Sequence, residues 1–360
     1  MRIHLVGLPH TPFDADIAST CAFTAKAVRT VKMWRQSGHD VTVYWGGNQA
    51  DVSCLTAAEQ QHWFGVWNAN ELPKVQWDAN LPYWAAFHTQ AIAAITERIQ
   101  PGDLVAGLVG SIHQQVFDAF PDHTRIEPGV GYEGLANGTF ACFESCAWMH
   151  HRYGALGINN GRFFDTVIPN AVDPDQWDIG PDHGYALFAG RCIQRKGIAV
   201  AAEIADRAGL ELRIAGAGVA EVTPHRITCT DGTIVHGDEL SYVGAVTGDD
   251  RKKLFANASV VIMPTLYIEP YGNVHVEAMM SGIGVVTPDF GVFTETVPDG
   301  YRFRTMSEAA NAVRLARASR GISWRDHAIS FAAPDRCRAK YDTWFDRLAS
   351  LRDGRNGFYS

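Results

Sequence analysis

The sequence predicts an α/β protein of two consecutive doubly wound halves, each built on a mostly parallel sheet. The chain has 360 residues, more than one hydrophobic core usually serves, so we expect two domains. Apolar residues make up 46% and charged residues 19%, which is typical of globular proteins and excludes disordered, collagen-like and coiled-coil chains. Short apolar strands alternate with helical patterns in both halves, and this order predicts parallel strands joined by right-handed crossovers.

The first half begins with a strand–helix–strand unit and then repeats the pattern. A short apolar run predicts the first strand, and apolar residues at helical spacing, ended by a Ser-Gly pair, predict the helix after it. The predicted elements of this half are strand 3–7, helix 19–36, strand 40–45, helix 85–99 and strand 104–109. We therefore predict one domain over residues 1–167.

The second half follows a connecting segment at residues 168–174. Its predicted elements are strand 185–190, helix 197–208, strands 212–215 and 260–263, helix 275–281 and strand 284–287. A final helical pattern at 336–351 could pack back on the first half. The sequence therefore predicts a second domain over residues 168–329 and a tail, 330–360, that returns to the first domain.

Charge, cysteine content and hydropathy restrict the class of protein. Lys plus Arg number 31 and Asp plus Glu number 39, so the net charge is −8, which disfavours an extended polyanion as a partner. Seven cysteines without a CxxC pair fit reduced thiols better than a disulfide framework. The first residues do not resemble a signal peptide, and no uninterrupted apolar stretch approaches 18 residues. We therefore expect a cytoplasmic protein without a transmembrane segment.

Chemistry is expected where the strands of the second half end, because open α/β sheets bind ligands beyond the carboxyl ends of their strands. After the first strand of this half, Arg191 and Lys196 belong to a cluster of three cations within six residues. Cations are unfavourable at a helix N-terminus, which favours a ligand-binding role for them over capping. Gly216 follows the next strand, where a backbone without side chains allows a ligand to approach.

The segment after the third strand of this half carries the most suggestive polar groups. Glu269 lies before a predicted helix and Glu277 lies inside it. The backbone amides of Tyr271, Gly272 and Asn273 would face outward from the start of that helix, an anion site that the helix dipole stabilises by about 0.3–2 kcal/mol. The two carboxylates could accept hydrogen bonds from sugar hydroxyls.

Four motifs in this order make the chain resemble a known family. They are Ile-Pro-Asn-Ala-Val-Asp at 168–173, Gly190-Arg191 with Lys196-Gly197, Glu269 and Glu277 with seven residues between them, and Phe-Gly-Val-Phe-Thr-Glu at 290–295. Their order and spacing resemble the retaining glycosyltransferases of family four, whose GT-B fold consists of two facing Rossmann-like domains. The first half is similar to this family mainly by architecture.

The resemblance implies that the second domain binds a nucleoside diphosphate sugar. Arg191 and Lys196 would neutralise the diphosphate leaving group. Glu277 would hold the ribose hydroxyls, and Glu269 would hold hydroxyls of the transferred sugar. UDP-glucose is the donor that we expect from its frequency within the family.

The resemblance implies further donor contacts at the helix start and in the first domain. The amides near Gly272 and Asn273, beside Tyr271, would bind phosphate and sugar. The loop at Gly7 should close over the donor, and His113 is the candidate for the histidine that the family often places near the sugar. No base is obvious in the first domain, which suits a front-face retaining transfer.

No metal and no cofactor are expected beyond the sugar donor itself. Cys142, Cys146 and His150 fall on one face of a presumed helix, but structural zinc usually takes a fourth ligand and closer paired spacing. Asp-x-Asp pairs at 14–16 and 173–175 follow the wrong elements for the metal motif of the other major glycosyltransferase fold. We therefore predict no metal site.

The acceptor remains open, although the first domain, residues 1–167, is expected to hold it. Aromatic residues concentrate there at Trp63, Phe64, Trp67, Trp77, Tyr83, Trp84 and Phe87. These rings could stack on an acceptor or form a core of their own. A hydroxymethylated DNA base is an alternative acceptor, since chains of this sort also occur in phages.

Two alternatives of a different class are a GT-B-like nucleotide-sugar isomerase and an inactive subunit that binds a sugar nucleotide. The intact pair of Glu269 and Glu277 favours a catalyst over the inactive subunit. Release of a changed sugar without any acceptor would identify an isomerase.

Overall fold

The computed structural model of the chain describes residues 1–14, 21–68, 74–160 and 162–352. One parallel sheet is formed by strands that precede the connecting segment in the chain, and a second parallel sheet by strands that follow it. We call the first sheet with its helices the first domain and the second sheet with its helices the second domain. This architecture confirms the predicted α/β class with two doubly wound domains.

The first domain is built on seven strands. Their bounds are β1 Arg2–Val6, β2 Asp40–Trp45, β3 Val52–Ser53, β4 Leu104–Gly107, β5 Thr124–Val130, β6 Phe140–Phe143 and β7 Thr166–Val167. All neighbours pair in parallel, in the spatial order β3-β2-β1-β4-β5-β6-β7. β4 is buried along its whole length, as is typical of a parallel strand covered on both faces.

Five α-helices of the first domain lie within the described residues. They are α1 Ala22–Gln36, α2 Ala57–Phe64, α3 Pro82–Thr96, α4 Gln114–Asp118 and α5 Cys146–Ala155. Of the helix predicted at 19–36, residues 19 and 20 lie outside the described residues. α3 begins three residues before its predicted start, because proline is favoured in the first turn of a helix, where its missing N–H costs no hydrogen bond.

The second domain is built on a six-stranded parallel sheet. Its strands are β8 Tyr185–Ala189, β9 Glu211–Ala215, β13 Leu240–Gly244, β14 Val260–Ile262, β15 Val285–Pro288 and β16 Arg302–Phe303. Their spatial order is β13-β9-β8-β14-β15-β16. Its helices are α6 Ile198–Arg207, α7 Gly248–Ala256, α8 Asn273–Met280, α9 Phe293–Thr296, α10 Met306–Ala318 and α11 Ile322–Ala332.

A small antiparallel sheet interrupts the second domain and was not predicted. It consists of β10 Val219–Thr223, β11 Arg226–Cys229 and β12 Ile234–His236, and it joins β9 to β13. Ile227 and Val235 bury their side chains in the core that α6 forms with the main sheet. The small sheet therefore occupies the place where a crossover helix would otherwise stand.

The C-terminal helix α12, Pro334–Arg352, returns to the first domain, as predicted. It packs against α1, where the Trp34 ring lies 5.4 Å from the rings of both Tyr341 and Phe345. Trp344 is buried in the same core and its indole N–H donates to the carbonyl of Phe164 at 2.6 Å. None of the helices in the described parts of the chain combines the length and apolarity that a membrane crossing requires.

Candidate active site

The loop between β14 and α8 brings the first glutamate of the motif to the start of the helix. Gly272 caps α8 with φ +80°, a left-handed conformation that glycine adopts without strain. A Cβ atom at this position would lie 2.6 Å from Met263 and 3.0 Å from Cγ of Glu269. Glycine at this position therefore lets the Glu269 side chain pack directly against the N-terminus of α8.

Lys196 and Glu269 form a largely buried ion pair at the carboxyl end of the second sheet. Lys196 ends a 3₁₀ turn that follows β8, and its Nζ lies 2.6 Å from Oε2 of Glu269. Their side chains are only 17% and 8% exposed. Burial alone would lower the pKa of Lys196, but the charge of Glu269 and the Tyr267 phenol raise it above its usual value. The ammonium is therefore held charged where the sequence predicts the donor phosphates.

The small antiparallel sheet fixes the turn that carries this lysine. The backbone N–H of Gln194 donates to a carboxylate oxygen of Asp231 at 2.8 Å, and Asp231 lies in the turn between β11 and β12. The Tyr267 ring lies under the two cations of the turn, 4.8 Å from the guanidinium of Arg195 and 5.2 Å from Nζ of Lys196. Asp231 and Tyr267 are therefore supporting residues that the sequence did not reveal.

Glu277 lies in α8 with arginines on both sides. Its Oε2 lies 2.5 Å from Nη2 of Arg251 in α7, and its Oε1 lies 3.9 Å from Nη1 of Arg29 in α1 of the first domain. Burial favours the protonated carboxyl group, but the two guanidinium charges outweigh it and hold the pKa of Glu277 below its usual range. Glu277 is therefore a buried carboxylate shared by the two domains.

The other predicted donor residues of the second domain occupy different positions. Asn273 begins α8, and its side-chain oxygen accepts from the amide of Asn170, 3.1 Å away in the connecting segment. The Arg191 side chain is exposed. Tyr271 is buried, and its hydroxyl has no hydrogen-bond partner in the part of the chain that the structure describes. Of these three residues, Arg191 is therefore the most exposed.

Two of the predicted glycines face protein atoms at close range. A Cβ atom at Gly7 would lie 1.8 Å from the Trp45 ring, so this glycine makes room for the buried indole. A Cβ atom at Gly216 would lie 1.7 Å from the carbonyl oxygen of Gly190, so the ends of β8 and β9 approach closely there. Packing within the protein therefore already requires glycine at both positions.

His113 is fully buried at the end of a 3₁₀ turn after β4. A hydrogen bond of 3.0 Å joins its Nδ1 to Nε2 of His88 in α3, and the Trp84 ring stacks on His88. Burial lowers the pKa of His113 well below its usual value, so its ring is neutral. Sequence reasoning missed His88, although the helical pattern of this segment was recognised.

The aromatic cluster of the first domain divides into core and partly exposed rings. Phe64, Trp84 and Phe87 are buried in the core of this domain, whereas Trp77 is 46% exposed. His10, in the loop after β1, lies 6.0 Å from the Trp77 ring, and burial lowers the pKa of His10 to about 3. Three rings of the cluster therefore belong to the core, as one of the two alternatives predicts, and Trp77 is accessible from solvent.

The cysteine and histidine pattern does not form one helix face. That interpretation is wrong, because Cys142 lies in β6 while Cys146 begins α5. Cys142 is buried and contacts the hydroxyl of Tyr341 at 3.9 Å. Among residues 1–14, 21–68, 74–160 and 162–352, no group of three His, Cys, Asp or Glu side chains is arranged to hold a metal ion. Asp16 of the first Asp-x-Asp pair lies outside the described residues.

The start of α5 connects the first domain to the loop between β14 and α8 of the second. The hydroxyl of Ser145 donates to the carbonyl oxygen of Pro270 at 2.7 Å. The carboxylate of Glu295, from the 290–295 motif, accepts from the backbone amides of Cys146 at 3.0 Å and Ala147 at 2.6 Å. The second domain therefore caps a helix of the first.

Comparisons with known proteins show which family and which folds the chain resembles. Residues 184–322 match the family described as Glycosyl transferases group 1. An uncharacterised glycosyltransferase of Methanocaldococcus jannaschii is 31% identical over 151 residues, which cover 36% of this chain and 38% of that protein. The alignment thus spans less than half of the length of this curated relative.

Solved structures match over nearly the whole chain, at identities that show the fold alone. Sucrose-phosphate synthase from Thermosynechococcus elongatus aligns with TM-score 0.70 and 15% identity over 98% of this chain and 100% of that one. AviGT4, a glycosyltransferase involved in avilamycin A biosynthesis, aligns with TM-score 0.67 and 19% identity over 97% and 98%. Anabaena HepE in complex with UDP-glucose aligns with TM-score 0.59 and 15% identity over 97% and 100%. The chain therefore has the GT-B fold, and its residues 184–322 are similar to the group 1 glycosyl transferases.

Proposed function

We propose that this protein is a retaining glycosyltransferase that moves a hexose, glucose in the first instance, from a nucleoside diphosphate sugar to an acceptor. The observation that carries the proposal is the convergence of Lys196, Glu269 and the start of α8 at the carboxyl end of the second sheet. A cation, a carboxylate and outward-facing amides are the groups that a sugar diphosphate needs. The family match of residues 184–322 supports the same activity.

Lys196 and Arg191 stabilise the leaving group in this proposal. Negative charge grows on the diphosphate as the bond to the anomeric carbon breaks, and fixed cations at that place lower the barrier. Lys196 is already charged and oriented by Glu269, so little reorganisation accompanies the reaction. Arg191 is exposed and closes on the diphosphate when the donor binds. The diphosphate is thereby neutralised by side chains, and we propose no metal or further cofactor.

The two glutamates hold different parts of the donor. Glu269, next to the N-terminus of α8, accepts from hydroxyls of the transferred sugar, while the amides of Gly272 and Asn273 bind the adjacent phosphate and sugar. Glu277 lies about one turn further along α8 and accepts from the ribose. An ionised carboxylate is an acceptor only, and the guanidinium groups beside Glu277 keep its pKa low enough for that role.

The proposed transfer keeps the anomeric configuration of the donor. The bond between the anomeric carbon and the phosphate oxygen breaks, and a bond between that carbon and the acceptor oxygen forms on the same face. The proton of the acceptor hydroxyl passes to the departing phosphate oxygen, so the reaction needs no protein base. UDP-glucose is our first choice of donor, and the UDP-glucose complex of the structurally similar HepE supports it.

A donor screen tests this function directly. Thermal shift with UDP-, GDP- and ADP-sugars should identify a stabilising donor, and proton NMR of the first product should show the anomeric configuration of the donor kept. Lys196→Met should abolish the shift. Arg207→Met, which removes an exposed cation at the opposite end of α6, should preserve it. An inverted product would refute retention, a changed free sugar without acceptor would identify an isomerase, and no binding of any donor would refute the function itself.

A further inference from the structure

Glu277 is a predicted donor carboxylate that faces the opposite domain at close range. α8 places it in the second domain, and Arg29 of α1 approaches it from the first. The three side chains are partly or fully shielded, with exposed fractions of 9% for Glu277, 24% for Arg251 and 26% for Arg29. Charge–charge and hydrogen-bond interactions among them are therefore weakly screened.

The two oxygens of Glu277 are not equivalent. Arg251 donates to Oε2 at 2.5 Å, and its guanidinium also contacts the Phe255 ring, 4.8 Å from the ring centre. In contrast, no hydrogen bond reaches Oε1 from the residues that the structure describes. Arg251 thus satisfies and orients the carboxylate, while Oε1 remains free to accept.

Arg29 faces this free oxygen without bonding to it. Its Nη1 lies 3.9 Å from Oε1, beyond the length of a hydrogen bond. Its Nε donates to the carbonyl oxygen of Ala25 at 3.1 Å, one turn earlier in α1. The guanidinium is therefore held by its own helix with one N–H edge directed across the gap between the domains.

A hydroxyl group has the hydrogen-bonding capacity to bridge these two atoms. A carboxylate oxygen only accepts and a guanidinium only donates, whereas a hydroxyl does both. An oxygen placed about 2.8 Å from each atom would bridge a 3.9 Å gap with an angle near a right angle at the hydroxyl. Such a hydroxyl would accept from Arg29 and donate to Glu277.

We propose that Arg29 completes the ribose site from the first domain, so that one ribose hydroxyl accepts from Arg29 while it donates to Oε1 of Glu277. This inference rests on the proposed function, which places the ribose at Glu277. It adds a nucleotide-binding residue from the domain that otherwise holds the acceptor. Nucleotide binding then strengthens a contact between the two domains, because the hydroxyl turns a 3.9 Å approach into two hydrogen bonds.

The test uses the full chain and calorimetry with two forms of one nucleotide. The nucleotide is whichever of UDP, GDP and ADP binds the wild type most tightly, and the second form is its 2′,3′-dideoxy analogue. Arg29→Met should weaken binding of the ribonucleotide by about tenfold, the value of one hydrogen bond to a charged group, and should leave binding of the dideoxy form unchanged. Arg35→Met, which removes an exposed cation from the end of the same helix, should change neither.

Each result decides the proposal. The proposal would be overturned if Arg29→Met weakened binding of both nucleotides equally, or did not weaken binding of the ribonucleotide. Either result would leave the proposed function intact. Arg29→Lys keeps the charge but loses the forked donor, so its affinity for the ribonucleotide should lie between those of the wild type and Arg29→Met. This variant serves as the test if the methionine variant does not fold. Failure of the wild type to bind any of the three diphosphates would overturn the proposed function and this inference with it.

Discussion

Nζ of Lys196 lies 2.6 Å from Oε2 of Glu269, although 73 residues separate them in the chain. The contact arises because β8 and β14 are neighbours in the second sheet, so the segments that follow them meet at one edge. Two motifs that the sequence presents separately are therefore one electrostatic unit. In the proposed function, the lysine supplies charge for the leaving group and the glutamate keeps that charge in place.

The first prediction concerns the coupling of this pair. Lys196→Met leaves a buried carboxylate without its cation and should lower the free energy of unfolding by about 3–5 kcal/mol. The double variant Lys196→Met with Glu269→Gln should lose less than the sum of the single variants, because it leaves no unpaired charge. Denaturant unfolding of the four proteins measures the difference.

The same comparison of two single variants with the double variant, made on an exposed ion pair, is the control. Arg207 and Glu203 in α6 are 52% and 48% exposed, and their coupling should stay below about 1 kcal/mol. Additive losses at Lys196 and Glu269, within about 0.5 kcal/mol, would mean that the two groups act independently.

The second prediction separates the two glutamates. Glu277→Gln should weaken binding of the bare nucleoside diphosphate, because the ribose loses an ionised acceptor. Glu269→Gln should leave that affinity nearly unchanged and lower turnover by about 100-fold, or about 2.7 kcal/mol of transition-state stabilisation. Calorimetry with the diphosphate and steady-state kinetics with the sugar donor check both values. Equal loss of nucleotide affinity in the two variants would show that Glu269 does not lie at the sugar.

The fold was predictable because its signals are local. Apolar runs such as 40–45 and 185–190 predict strands that the structure has almost at the predicted bounds, and their order implies the parallel topology. The small antiparallel sheet was missed because its strands are short and mostly exposed on one side, so they lack a strong apolar pattern. Local patterning therefore accounts for the two domains but not for the insertion.

The partners of the site residues were not predictable, for a different reason. Arg251 lies 26 positions from Glu277, and Arg29 comes from the other domain, so no helical or strand period links them. The same holds for His88 and His113. Motif spacing identifies side chains that act together on one element, whereas pairing across elements is set by the tertiary fold.

The third prediction is a pH dependence of stability that originates at His275. This residue is buried in α8, its Nδ1 bonds the carbonyl oxygen of Gly272 at 2.5 Å, and burial lowers its pKa to about 4 against the opposing effects of Glu269 and Glu277. Below the unfolded pKa of about 6.5, the unfolded chain binds a proton that the folded chain does not. Stability is therefore present at neutral pH and is lost as pH falls from about 6.5 to 4.

Proton linkage sets the size of this loss of stability. The free energy of unfolding should fall by about 1.4 kcal/mol for each pH unit, or on the order of 3 kcal/mol between about pH 6.5 and 4. His275→Phe fits the same aromatic neighbours, Tyr271 and Phe293, but cannot titrate. The difference in unfolding free energy between wild type and variant should shift in favour of the variant as pH falls. If the free energies of unfolding of the wild type and His275→Phe fell in parallel between pH 6.5 and 4, the acid sensitivity would originate at other groups.

The last prediction concerns the helix cap that crosses the domain boundary. Glu295 of the second domain accepts from the amides of Cys146 and Ala147, and its negative charge lies at the N-terminus of α5, where the helix dipole favours it. The next amide, that of Trp148, is capped from within the first domain by the hydroxyl of Ser145 at 3.1 Å. Two caps from two domains thus protect successive amides of one helix.

Hydrogen exchange can separate these two caps, because each amide reports its own acceptor. Glu295→Ala should cost about 1 kcal/mol and accelerate exchange at Cys146 and Ala147 by several-fold while Trp148 keeps its protection. Ser145→Ala should have the converse effect: it should accelerate exchange at the amide of Trp148 and leave those of Cys146 and Ala147 protected. It also removes the hydrogen bond to the carbonyl oxygen of Pro270, in the loop between β14 and α8. Equal acceleration of all three amides in both variants would show that the start of α5 opens as a unit, and Glu295 would then be one contact of a larger interface. The reciprocal pattern would show that the 290–295 motif contacts the start of α5 through the carboxylate of Glu295 alone.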